Sequence, residues 1–275
     1  LDGSSAGNIP VALAVISDTT EPKDRAKWFG IIGASFGFGF TFGPAISAFT
    51  LRYGTHMPFL IAGAIALVAC VLIAFLLPET NVNRGTTVSR HLFDFRKLWH
   101  ALFDPGIGAT LAVSFLVMFA FSVYIYAFQP FSVQLLKLSV LQISYIFTGI
   151  GVIGLVSQAV LIPRVVKRFG ERRVLVGALF LSASMYIVLF GVRHVLPFVV
   201  AVFIQAFANG FPMPVIQSLL SRETDEKSQG TIMGINASYQ SIGQIIGPVV
   251  GGTIATLSIP LPLLGASLIT FIGFF

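Results

Sequence analysis

Charged residues in this chain fall in short clusters separated by long apolar stretches, near residues 3–17, 28–50, 58–77, 107–129, 140–163, 174–192, 195–220, 229–257 and 261–275. Most of these stretches approach the roughly 20 residues that carry a helix across about 30 Å of hydrocarbon. Lipid offers no partner to a backbone N–H or C=O, so only helices or a closed barrel can span it. Barrel strands are about 10 residues long and alternate in polarity; these stretches do neither. The pattern predicts an all-α polytopic membrane protein of nine helices, the first and last clipped.

Composition agrees. The chain is 55% hydrophobic and 10% charged, with a mean hydropathy of +0.89, where a soluble domain carries about 25% charged residues. Its 17 Lys and Arg are distributed asymmetrically. Alternate connections carry all but three of them, and only Arg52, Lys137 and Arg193 lie on the other side. Cytoplasmic loops hold the excess of Lys and Arg, so the loops 19–28, 78–106, 164–173 and 221–228 are placed in the cytoplasm. The pI of 9.7 is thereby accounted for by membrane topology and implies no nucleic-acid partner. The single cysteine, Cys70, lies in an apolar stretch, which leaves no disulfide framework, CxxC metal site or redox pair. His56, His91, His100 and His194 all fall in loops, so no intramembrane cluster suggests an enzyme or a metal centre. The chain opens Leu1-Asp2-Gly3 and stops inside an apolar run, and it is read as a fragment.

The longest connection, 78–106, is the most polar and reads as a linker between two bundles. Its second half could be a helix lying on the membrane surface, with Arg96, Lys97 and Trp99 at headgroup level, or a polar loop. Around it the chain repeats. Thr20-Glu-Pro-Lys23 leads through Gly30 and Gly39 to Gly43-Pro44, and Thr224-Asp-Glu-Lys227 leads through Gly234 and Gly243 to Gly247-Pro248. Each pair is separated by 204 residues, as are Pro10 and Pro214. Two homologous halves of like orientation, six helices apart, form the parallel-repeat architecture of the major facilitator superfamily, and the chain resembles that family throughout its length. The resemblance makes 1–77 the later part of the N-terminal bundle (helices 4–6), 78–106 the central cytoplasmic linker and 107–275 the C-terminal bundle (helices 7–12), truncated at both ends.

The most specific segment is Gly33-Ala-Ser-Phe-Gly37-Phe-Gly39-Phe-Thr-Phe-Gly43-Pro44. Small residues four apart let a neighbouring backbone approach closely. The segment resembles the family's antiporter motif, GxxxGPxxGG, and the copy Gly243 to Gly247-Pro248-Val-Val-Gly251-Gly252 is closer still; Ser47 and Ala48 replace the last glycine pair in the first copy. The resemblance implies substrate:proton antiport, with this helix sealing the outer half of the pathway. The loop holding Asp18 and Arg25 is similar to that of tetracycline-resistance-type drug exporters, and the segment with Arg168, Gly170, Arg172 and Arg173 to the superfamily's loop between helices 8 and 9. Both are expected to act as a cytoplasmic gate, with Gly170 making the turn and the arginines capping carbonyls and pairing with acids such as Glu171. Solvated charges that merely set topology are the plainer alternative.

Polar groups inside spans are costly and therefore informative. Asp2-Gly3 matches the end of the family pattern Arg-x-x-Asp/Gln-Gly in helix 4, which makes Asp2 the candidate for proton coupling. Asn8, Gln129, Gln158, Gln205, Asn209, Gln217, Asn236, Gln240 and Gln244 lie on helices that by resemblance line a central cavity. Of these, Asn8, Gln129, Gln205, Asn209, Asn236 and Gln240 are the candidate substrate contacts, with helix-to-helix hydrogen bonding as the alternative for each. The expected function is a monomeric, proton-gradient-driven exporter of a lipophilic drug-like or small organic substrate in the plasma membrane, with no cofactor and with substrate, protons and the bilayer as its partners. A sugar or organic-acid symporter or uniporter of the same superfamily is the second reading.

Overall fold

The computed structural model describes residues 12, 15–16, 19–20, 35, 38–39, 42–77, 95–224 and 229–274, without the side chains of 95–97, 159 and 229–230. The chain divides into two compact units, Leu1–Leu92 and Phe93–Phe275. Of the predicted helices 3–17 and 28–50, the described residues 12, 15, 16, 35, 38, 39 and 42–50 are all helical.

In the first unit, residues 42–50 run into a 3-10 turn, Leu51–Tyr53, where Thr50 Oγ1 donates to the Ile46 carbonyl at 2.7 Å. Arg52 lies over the Phe49 ring, 4.4 Å from its centroid. Gly54 then reverses the chain at φ +132°, a region closed to side chains, and a β-carbon there would meet the His56 imidazole at 2.9 Å. Helix α1, Met57–Leu76, follows with Pro58 in its first turn, where the missing N–H costs nothing. Its 20 residues rise about 30 Å, and none of them is buried within the unit. A helix apolar on every face belongs in lipid or against further helices.

The second unit begins with a short helix, α2 (Phe95–Leu102). The six expected spans of the C-terminal bundle follow: α3 (Gly108–Pro130), α4 (Val140–Val156) continued by α5 (Ile162–Phe169), α6 (Glu171–Gly191), α7 (Val195–Asn209) continued by α8 (Pro212–Glu223), α9 (Gln229–Ala255) and α10 (Leu261–Ile272). Three spans depart from straight helices, and prolines explain each. Pro130 ends α3 in a π turn, Phe131–Leu135. Pro163 lacks the N–H that would close the preceding turn, and a second π turn, Ser157–Leu161, carries the ladder past it. The stretch expected as one helix over 195–220 is interrupted at Gly210-Phe211, because Pro212 and Pro214 cannot donate. Together α7 and α8 still form one 29-residue span. Gly170 makes the turn from α5 to α6 at φ +81°. A reciprocal cap between Ser139 and Gln142 starts α4.

Four helices of the described residues are long and apolar enough to cross a membrane: Met57–Leu76, Gly108–Leu135, Glu171–Gly191 and Val195–Glu223. The second unit is filled by two apolar clusters. One, toward the Lys137 and Arg193 end, gathers Tyr124, Phe128, Phe131, Tyr186 and Phe198. The Phe131 and Phe198 rings stack there at 5.6 Å. The other, toward the end carrying the basic turn 164–173, gathers Leu111, Leu175, Leu179, Ile216 and Leu220.

Candidate functional site

The glycine-rich copy in α9 lies against α3. A β-carbon on Gly243 would stand 2.9 Å from the Phe119 backbone nitrogen, and one on Gly247 would stand 2.4 Å from the Ser122 β-carbon. Gly251 and Gly252 face the Tyr126 ring and hydroxyl. The matched pairs Ser114–Gln240, Met118–Gln244, Ser122–Gly247 and Tyr126–Gly251 advance together, so the two helices run parallel. Backbone-to-side-chain contact this close needs glycine, since any side chain would push the helices apart. The seam is also bonded: Ser122 Oγ donates to the Gln244 carbonyl at 3.2 Å. Pro248 is exposed on the same helix.

Toward the basic end the same face of α9 becomes polar. Gln240 Nε2 donates to Ser114 Oγ at 3.2 Å and to the Met213 sulfur at 3.4 Å. Three helices, α3, α8 and α9, therefore meet at Gln240, which is half-buried. One turn further, Asn236 is 3% exposed and its Oδ1 has no hydrogen-bond partner among the described residues. The α3–α9 register brings it level with Thr110, whose hydroxyl donates to Glu223 Oε2 at 2.9 Å.

A second polar group sits between the two apolar clusters. Gln205 on α7 is fully buried and donates from Nε2 to Ser182 Oγ on α6 at 2.8 Å. Asn209 accepts from the same hydroxyl at 3.4 Å and approaches the Tyr186 hydroxyl at 3.5 Å. Gln205 and Asn209 thus join α6 to α7, the bonding pattern expected when a polar side chain serves helix packing. Gln129, Gln158 and Gln217 are exposed.

At the basic end Arg164 caps the Val160 carbonyl at 2.8 Å and Arg168 lies 5.3 Å from the Phe169 ring centroid. Glu171 takes its partners from α8 and not from its neighbouring arginines: Arg222 reaches it at 3.4 Å and the Ser218 hydroxyl donates to it. Arg172 and Arg173 are exposed. In the first unit Gly39, Gly43 and Pro44 are helical, and a β-carbon on either glycine would meet nothing within 4 Å among the described residues. Asp2, Asn8, Asp18, Arg25, Gly33 and Gly37 lie outside the described residues, as does most of the connection 78–106.

The family model of the Major Facilitator Superfamily matches residues 3–162 and 110–275. The chain belongs to the Major Facilitator Superfamily. Multidrug resistance protein 2 of Bacillus subtilis (strain 168) is 29% identical over 281 residues, taking in 99% of this chain and 69% of that protein. The class B tetracycline resistance protein of Escherichia coli is 27% identical, with 95% of this chain and 65% of its own length covered. The quinolone resistance protein NorA of Staphylococcus aureus (strain COL) is 26% identical, at 96% and 67%. The chain thus spans about two thirds of the length of these relatives. The crystal structure of the human organic anion transporter MFSD10 (TETRAN) superposes with a TM-score of 0.75 at 23% identity, over 98% of this chain and 68% of that one. This likeness shows the fold alone; the family match and the four membrane-length helices make the chain part of a multi-pass membrane protein.

Within this superfamily fold, the residues that sequence reasoning passed over are the partners. Ser114, Ser122, Ser182, Tyr186 and Met213 complete the junctions at Gln240, Gln244, Gln205 and Asn209. A signal for the α3 set was present: Thr110, Ser114, Met118, Ser122 and Tyr126 recur every fourth residue and so share one helix face. That periodicity matches the glycine spacing of α9.

Proposed function

We propose that the chain belongs to a proton-coupled antiporter that exports a lipophilic drug-like or small organic substrate by alternating access. The observation that carries this reading is the close parallel seam between α3 and α9, where Gly243 and Gly247 admit no side chain. A tightly packed helix pair in the half of the bundle away from the basic loops can act as a seal, and a seal against proton leak is what an antiporter requires. The names of the relatives, resistance proteins for multiple drugs, tetracycline and quinolones, support an amphiphilic organic cargo. In this reading the basic loops face the cytoplasm, the membrane is the plasma membrane and the transporter works as a monomer powered by the proton gradient.

The substrate contacts favoured by the geometry are Gln240 and Asn236, with Ser114 beside them. They offer amide and hydroxyl groups where α3, α8 and α9 converge, and neutral groups of this kind suit a cargo recognised by shape and a few hydrogen bonds. Gln205 and Asn209 hold α7 against α6. Asp2 is assigned the coupling proton.

The test is dye or tetracycline efflux from inverted vesicles or cells expressing the full-length protein, with and without a proton ionophore. Export should stop when the gradient collapses. Efflux that continues at the same rate would overturn the antiport reading.

A further inference from the structure

The turn between α5 and α6 gathers five cations within ten residues, Arg164, Lys167, Arg168, Arg172 and Arg173, and all are exposed. Beside Gly170 lies an open cleft of about 510 Å³ lined by Phe169, Glu171, Arg172, Arg173, Val176 and Leu219. Glu171 is the one acid in this lining, and its charge is offset by Arg222 at 3.4 Å and by the Ser218 hydroxyl, with its side chain only 9% exposed.

From the cleft, α6 carries an exposed apolar strip into the membrane. Val176 and Phe180 stand one and two turns beyond Arg172, on the same helix face, and both are exposed. Gly177 lies beside Val176, and a β-carbon there would meet nothing within 4 Å. The feature therefore has a cationic end at the level where a membrane helix starts and an apolar strip running toward the bilayer centre. Basic pockets at this depth, between membrane helices, are matched by the anionic headgroup and acyl chain of one lipid molecule.

We propose that this cleft binds an anionic phospholipid, its phosphate held by Arg172 and Arg173 and an acyl chain laid along Val176 and Phe180. The site lies on the lipid-facing side of the bundle, apart from the polar junction at Gln240, and its occupant is a component of the membrane, distinct from the exported cargo.

The experiment is native mass spectrometry of the purified full-length protein with phosphatidylglycerol or phosphatidylcholine of matched chains. Phosphatidylglycerol should be retained preferentially, and R172Q/R173Q should weaken its retention about twenty-fivefold, since each cation near an anionic surface contributes roughly fivefold. Millimolar inorganic phosphate should fail to displace the lipid. Equal retention of the two lipids, unchanged retention in R172Q/R173Q, or displacement by phosphate, which would mark a free-anion site, each overturns the proposal. Should R172Q/R173Q fail to insert, Val176→Trp keeps both arginines and fills the strip; undiminished phosphatidylglycerol retention in that variant overturns the proposal equally.

Discussion

Gly247 and Ser122 touch across the parallel seam of α9 and α3 so closely that a methyl group on Gly247 would stand 2.4 Å from the Ser122 β-carbon and 2.6 Å from its hydroxyl. The two small residues are a matched pair, and the approach of the helices depends on both. Gly247→Ala should destabilise the bundle by about 1–3 kcal/mol, the usual cost of overpacking, and Ser122→Gly in the same chain should return most of it. Unfolding in an SDS titration measures both. Additive losses in the double variant would show that the contact does not set the helix distance.

Gly170 and Gly177 lie seven residues apart and should respond oppositely to alanine. Gly170 holds φ +81° at the turn, so Gly170→Ala should lose about 1–2 kcal/mol to backbone strain. Gly177 is helical with open space at its α-carbon, and Gly177→Ala should be neutral or gain up to about 1 kcal/mol from helix propensity. Thermal unfolding of the two variants in the same detergent distinguishes them.

The Gln205–Ser182 bond is fully buried, but Gln205 Oε1 has no hydrogen-bond partner among the described residues. Gln205→Leu should therefore cost little, about 0.6 kcal/mol, the average for interhelical hydrogen bonds in lipid, because it also removes an unsatisfied acceptor. A double-mutant cycle with Ser182→Ala should give a coupling energy of that size. Retained transport in Gln205→Leu would agree with a packing role, and abolished transport in a stable variant would return Gln205 to the substrate path.

Gln240 stands where three helices converge. Gln240→Leu keeps the volume and removes the donors to Ser114 and Met213, so the protein should fold while the KM for export rises about fivefold to tenfold, the effect of one or two lost polar contacts. An unchanged KM with an unchanged maximal rate would move the cargo site elsewhere.

Helix α1 was legible to within one residue, predicted over 58–77 and observed over Met57–Leu76, because its apolar run is bounded by loops on both sides. The start of α6 was less so. Arg172 and Arg173 read as loop charges, yet the helix begins at Glu171, since cations at a span's end can be helical and still reach water. The break at Gly210 carried its signal in Pro212 and Pro214, but the hydropathy around them, Phe207 to Ile216, hides it. For Glu171, adjacent arginines in sequence suggested the wrong partner; Arg222 comes from α8, across the bundle end.

The sequence by itself determined that the chain is a set of membrane helices, where most of them start and stop, and which family it resembles. These follow from local facts, apolar runs of bilayer length and motif spacing, which need no knowledge of neighbours. Tertiary structure alone decided that α9 packs against α3 with Gly247 on Ser122, that Gln205 is spent on Ser182, and that Gln240 rather than Gln205 stands at a three-helix junction. Each depends on how two helices are rotated about their axes, and in a helix apolar on every face the hydrophobic pattern does not encode that rotation.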